Sequence, residues 1–179
     1  MESAQKPEVG GPVPEFSLPV IGGGEPESLA SILSGRKGAL VVFWSAVCSH
    51  CRRYDGYLKE FAANHPELGL VVIAARQGET EPELARTKIQ RELDFTLLRD
   101  ANLETARAWL VNQTPCAFLI DAQQLLVYRG AIDNFKYPKD PDFAPYLEDA
   151  IADFLAGKAV RRADSPSFGC PTESVYYNK

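Results

Sequence analysis

The run GALVVFW, residues 38–44, is apolar at nearly every position and rich in β-branched and aromatic side chains. Strict alternation would mark a strand with one wet face. A continuous run marks a strand covered on both faces. A second run of the same kind, LGLVVIAA at 68–75, follows after a helical pattern. Two doubly covered strands need helices above and below one sheet, which confines the chain to the α/β class.

The segments around these runs fit that class. EFSLPVIGGGEPESL reads as a short extended stretch, a Gly turn and a helix starting near Ser28. Residues 49–64 place Cys51, Tyr54, Leu58, Phe61 and Ala62 on one face of a helix that ends near Asn64. Thr80, Pro82 and Glu83 make a capping box that opens a helix running to about Leu93. DFTLLRD, 94–100, is a third strand, and NLETARAWL, 102–110, a short helix capped by Asn102. Residues 116–132 form a hairpin turning at Asp121–Gln124. Residues 141–157 form a closing helix with Gly157 at its C′ position. The order βαβαβαββα predicts a central mixed sheet flanked by helices, with right-handed crossovers. In such sheets the reactive end lies at the carboxyl edges of the strands.

The length of 179 residues predicts a single domain over 1–179. Residues 1–15 read as a loose N-terminal arm, and 158–179 as a polar tail that carries Cys170 and two tyrosines. A net charge of −5 with mixed signs argues against nucleic-acid or anionic-membrane partners, which require a basic face. The longest apolar run is too short for membrane insertion. The first residues carry neither a basic nor an apolar leader region. The chain as written is therefore expected in the cytoplasm, or outside it if an export signal has been removed. A monomer is expected. Four cysteines are too sparse for a disulfide scaffold, so each is read where it stands.

Two of them lie in WSAVCSHCRRY, residues 44–54. Cys48 falls just beyond the first long strand, at the start of a helix. Free N–H groups there, together with His50, Arg52 and Arg53, would stabilise a thiolate. Cysteines in such settings titrate between about 3.5 and 7.5. Cys51, one turn on, faces the core, and the i, i+3 spacing suits a disulfide that opens and closes. A structural zinc site needs about four ligands, and no second pair with finger-like spacing exists. An inert disulfide closing so small a loop would stabilise little. TPC, 114–116, opens the hairpin strand and leaves Thr114 with backbone groups on which a substrate strand could pair.

The combination of PVPEFSLPVIGG, LVVFWSAVCSHC, TPCAFLIDAQQLLVYRGAID and the closing helix resembles the thioredoxin superfamily. The likeness is to its redoxin and TlpA/ResA-like thiol–disulfide oxidoreductases, and it extends over about residues 12–157. It implies a thioredoxin-like fold with an N-terminal extension. It also implies Cys48 as the attacking and Cys51 as the resolving cysteine, with His50 tuning the thiol toward a stronger oxidant. Pro115 would be a cis-proline beside the dithiol, forming with Thr114 and Trp44 the substrate-binding residues. No cofactor or metal is needed, because the cysteine pair carries the electrons, and the partners would be protein thiols and disulfides.

The chain departs from that pattern at Val47, where thioredoxins carry tryptophan, and at Tyr54, where an acid is common. Glu79 is a substitute proton acceptor or a loop charge. The peroxiredoxin Pro-x-x-x-Thr-x-x-Cys pattern is absent, with Val41 and Ser45 in its places. Arg129 in VYRG is a surface strand charge or resembles the peroxiredoxin arginine, the basis of a peroxide-reductase alternative. A dithiol module holding a soft metal such as Cu(I) is the other alternative. Cys116 and Cys170 are read either as accessory thiols or as a small buried hydrophobe and an incidental free thiol respectively. Cys170 is expected either to pair with Cys116 or to exchange with the active site.

Overall fold

The structure, a computed structural model, describes residues 7–173. The first six residues of the expected arm lie outside the described residues, as does 174–179 with both tail tyrosines. The elements in order are β1 (Ser17–Leu18), β2 (Glu27–Ser28), α1 (Leu29–Leu33), β3 (Gly38–Trp44), α2 (Ser49–Arg52), α3 (Asp55–Asn64), β4 (Leu68–Ala74) and α4 (Glu81–Gln90). They continue with β5 (Leu97–Arg99), α5 (Glu104–Ala108), β6 (Gln113–Thr114), β7 (Cys116–Asp121), β8 (Leu126–Gly130), α6 (Tyr146–Leu155) and β9 (Cys170–Pro171).

Five strands form one mixed sheet in the order β5-β4-β3-β7-β8. β3, β4 and β5 run parallel, and β7 is antiparallel to both β3 and β8. All seven residues of β3 are buried, as its continuous apolar run predicts. Its side chains alternate between two layers. Leu40, Val42 and Trp44 pack with Leu58 and Phe61 of α3 and Leu147 and Ile151 of α6. Ala39, Val41 and Phe43 pack with Leu29 and Ile32 of α1 and with Trp109. This is the predicted mixed sheet flanked by helices. The extension is a small antiparallel pair, β1 with β2, leading into α1. Ser28 caps α1 through a reciprocal bond with Ser31, so the start read at Ser28 is correct.

Five features differ from expectation, the simplest being the closing helix, read over 141–157 but running from Tyr146 after Pro145 to Leu155. The helix expected over 49–64 is two helices. The chain leaves helical geometry at Tyr54 (φ −97, ψ 5), whose hydroxyl donates to Asp133, and Asp55 turns its carboxylate to Arg91 at 2.7 Å. The helix predicted to reach Leu93 ends at Gln90, and Glu92 takes a left-handed φ of 51. Asn102 does not cap α5. The buried Asp100 carboxylate does, accepting from the amides of Thr105 at 3.2 Å and Ala106 at 2.8 Å. Asp100→Ala should therefore cost about 1–2 kcal/mol in urea unfolding, with Asp100→Asn retaining part of the cap.

The last difference concerns both ends. Residues 7–15 are not a loose arm: they lie along the hairpin, where Gly10 donates to Leu126 and Leu126 donates to Gly11. Val13 is buried in the core beneath. The tail, as far as Glu173, also lies against the body. It bonds the edge of β8 through Arg129, Ala163 and Ser165, then returns as β9 to pair with β6. Both segments cover backbone groups that an edge strand would otherwise leave open.

Candidate active site

The carboxyl ends of β3 and β4 and the start of β7 converge on one place. Cys48 is the N-cap of α2, following the turn after Trp44. Its sulfur is a near neighbour of that of Cys51, at i, i+3, and the two thiols act on each other's acidity. The Thr114-Pro115 peptide beside them is cis, as the resemblance implies. The Thr114 carbonyl oxygen lies 3.4 Å from Cys48 Sγ and accepts its proton when it is a thiol.

The two thiols differ sharply in acidity. The hydrogen bond from Cys51, with a further one from Cys170, brings the Cys48 thiol down to about 4 against the opposing effect of burial. Burial, and then the neighbouring Cys48 sulfur, push the Cys51 thiol far above the ordinary range. The arrangement therefore holds one thiolate beside one thiol. The expected helix-start amide contributes, through the Cys51 N–H, but the larger source is not the expected one. It comes from sulfur neighbours, whereas the Arg53 guanidinium lies over the Phe135 ring at 4.5 Å. The His50 ring meets Phe168 edge-on at 4.9 Å.

Of the other expected residues, Thr114 is in place, buried, with its backbone in β6. The Trp44 side chain is wholly buried and sits under the Arg91 guanidinium. Cys116 is one residue past Pro115, and its sulfur accepts from the Ser167 hydroxyl at 3.2 Å. It is not joined to Cys170. The Cys170 sulfur lies 2.6 Å from that of Cys48. Arg129, the residue that could have suggested peroxide chemistry, is bound to Asp164 at 2.7 Å and to the Pro7 carbonyl oxygen, at the far edge of the sheet.

Sequence reasoning undervalued Glu79. One carboxylate oxygen accepts from the Ser45 hydroxyl at 2.8 Å and the Ala46 amide at 2.7 Å, holding the turn between β3 and Cys48. The other is buried, and burial raises its pKa. It does not touch Cys51. Its position after a buried strand was the only available signal. Beside the dithiol opens a groove of about 420 Å³, lined by His50, Tyr54, Pro115, Phe135 and Phe168 among others. Among the described residues there is no cluster of three or more His, Cys, Asp or Glu that could hold a metal ion, and no helix long and apolar enough to cross a membrane.

The model of the AhpC/TSA family matches residues 9–129. Among curated proteins, the thiol-disulfide oxidoreductase ResA of Bacillus cereus (strain ZK / E33L) is 28% identical over 117 residues. That match covers 65% of this chain and 66% of the relative, just under two thirds of its length. Among solved structures, the hypothetical protein SMc02350 of Sinorhizobium meliloti 1021 superposes with a TM-score of 0.82 at 27% identity, covering 94% of this chain and 95% of that one. A secreted disulfide oxidoreductase of Mycobacterium tuberculosis, homologous to E. coli DsbE, gives a TM-score of 0.53 at 25% identity, over 62% of this chain and 79% of that one.

Proposed function

This chain belongs to the AhpC/TSA family, and from that premise we propose that it is a thiol–disulfide oxidoreductase acting on protein partners through the Cys48–Cys51 pair. The observation that carries the reading is the arrangement itself: Cys48 caps a helix one turn before the buried Cys51, beside a cis-proline and 3.4 Å from the Thr114 carbonyl oxygen, with its thiol lowered and that of Cys51 raised. Only the thiolate attacks a disulfide, and the sulfur that leaves must take up a proton. Cys48 attacks a partner's disulfide, forming a mixed disulfide and releasing one partner thiolate. Cys51 then loses its proton to that thiolate and attacks Cys48, so the partner leaves as a dithiol and the enzyme as a Cys48–Cys51 disulfide. The reverse sequence oxidises a partner dithiol.

The low value at Cys48 favours the reduced enzyme, which makes the disulfide the stronger oxidant. The partner's chain is proposed to enter along β6, beside Thr114 and Pro115, by strand addition. The groove under His50 and Phe135 would take its flanking side chains. No cofactor is proposed, since the sulfurs themselves carry the electron pair. The secreted neighbour supports residence outside the cytoplasm, the alternative that suits an oxidant.

The test is insulin reduction driven by dithiothreitol, comparing the parent chain with Cys48→Ser. Insulin precipitation should proceed with the parent and fall more than about a hundredfold in the variant, to background, because a serine hydroxyl is not ionised at neutral pH. Equal rates in the two proteins would sink the proposal. A peroxide-reductase reading gains nothing from the geometry, because Arg129 is engaged elsewhere.

A further inference from the structure

The slot that a partner strand would use is already filled. β9 pairs antiparallel with β6, placing Cys170 opposite Thr114 and Pro171 opposite Gln113. The sulfur of Cys170 lies 2.6 Å from that of Cys48. Cys48 is only 1% exposed, so no large partner reaches it with this strand in place.

The tail is built to stay there. The Thr172 amide donates to the Asn112 carbonyl at 3.0 Å, and the Gln77 amide donates to the Thr172 carbonyl at 2.8 Å. The Gln113 side chain donates to the Ser167 carbonyl at 2.6 Å, and Arg107 pairs with Glu173. Phe168 meets the His50 ring edge-on, 4.9 Å between centroids. Gly169 lies flat on Thr114 and Pro115: a Cβ there would stand 1.7 Å from the Thr114 carbonyl oxygen. The backbone can approach this closely only where there is no side chain.

We propose that the segment 168–172 is a tethered substrate and Cys170 a third redox cysteine, which exchanges with the Cys48–Cys51 disulfide to give Cys48–Cys170 and holds the partner slot closed until an external protein displaces it. The inference rests on the Cys48–Cys51 exchange proposed above and names the first partner of that site. The step is an isomerisation and needs no external oxidant. Cys170 gives up its proton and attacks Cys48 Sγ. The Cys48–Cys170 bond forms as Cys48–Cys51 breaks, and Cys51 leaves with the electron pair and takes up a proton. In the reduced enzyme, burial and the adjacent Cys48 sulfur keep Cys170 protonated. Once Cys48 is in a disulfide it no longer carries charge, and that repulsion is gone. A tethered strand faces its slot at an effective concentration of about a millimolar or more, so it competes strongly with free partners.

The experiment is disulfide mapping by mass after oxidation with oxidised glutathione and acid quench. In the parent both Cys48–Cys51 and Cys48–Cys170 linkages should appear. In Cys51→Ser, Cys170 should expel glutathione from Cys48, leaving Cys48–Cys170 as the main product. Gly169→Val, which cannot seat the tail, should lose Cys48–Cys170 at least tenfold, keep Cys48–Cys51, and expose Cys48 to iodoacetamide at least ten times faster. Cys48 remaining glutathionylated in Cys51→Ser with Cys170 unlinked would overturn the inference, as would unchanged alkylation in Gly169→Val. If insulin is reduced and Cys48–Cys51 forms while Cys170 never links, the tethered substrate fails and the enzyme stands. If the parent reduces no insulin, the functional reading fails, and the Cys51→Ser map still decides the fate of Cys170.

Discussion

Alkylation of Cys48 by iodoacetamide in the reduced protein should be nearly flat between pH 8 and pH 5. A thiol that titrates at about 4 is more than nine-tenths thiolate throughout that range. One that titrates at the ordinary 9.0 loses about a thousandfold of its thiolate over the same span. The sign is fixed by the lowered value: the reactive form persists as pH falls and is lost only near pH 4. Burial under β9 slows the absolute rate at every pH but leaves the shape of the profile unchanged. Cys51, held far above the ordinary range, should remain unmodified over the whole window. The readout is the mass of the 38–52 peptide after timed quenching. A tenfold fall per pH unit at Cys48 would show an ordinary thiol and remove the physical basis of the proposed exchange.

The second large effect lies in the core, on the face of the sheet opposite the dithiol. Trp109 is 1% exposed and meets Phe16, Phe43 and Phe118 with ring centroids 6.0, 5.7 and 5.0 Å away. These rings join the N-terminal extension, β3 and β7 into one cluster. Trp109→Ala deletes its centre, and such truncations cost about 3–5 kcal/mol. For a chain of this size that lowers Tm by about 10 °C. Leu110→Ala, at a half-exposed neighbour, should change stability by less than about 0.5 kcal/mol. Urea and thermal unfolding of the two variants check both numbers. Similar curves for the two would mean that the ring cluster does not hold this layer together.

The elements that were legible in the sequence are those with a strong local pattern. β3 and β4 were read from unbroken apolar runs, and the Thr80–Glu83 box marks the start of α4 as observed. The turn at Asp121–Gln124 follows from an Asp that accepts from the amides of Gln123 and Leu125, each at 2.9 Å. The break at Tyr54 was not legible, because the hydroxyl that stabilises it bonds a residue 79 positions away. The cap of α5 was assigned to Asn102 because Asn is a good cap at that spacing. Tertiary packing instead turned the nearby Asp100 carboxylate inward. Trp44 was read as a substrate-binding residue, and the alternation that buries β3 on both faces carries its ring into the core.

For the site, the CxxC spacing and its place after a buried strand pointed to Cys48 and Cys51, which the fold sets at the start of α2. They did not reveal what lowers the Cys48 thiol. That depends on sulfur-to-sulfur contacts, one of which spans 122 residues.

By itself, then, the sequence determined the sheet, its helices and the position of the dithiol, because each is written in side-chain periodicity within a few turns of chain. Only the tertiary structure decided that the tail folds back onto β6 and sets Cys170 against Cys48. That contact is made by backbone pairing and by a glycine small enough to permit it, and neither leaves a periodic trace in the residues themselves.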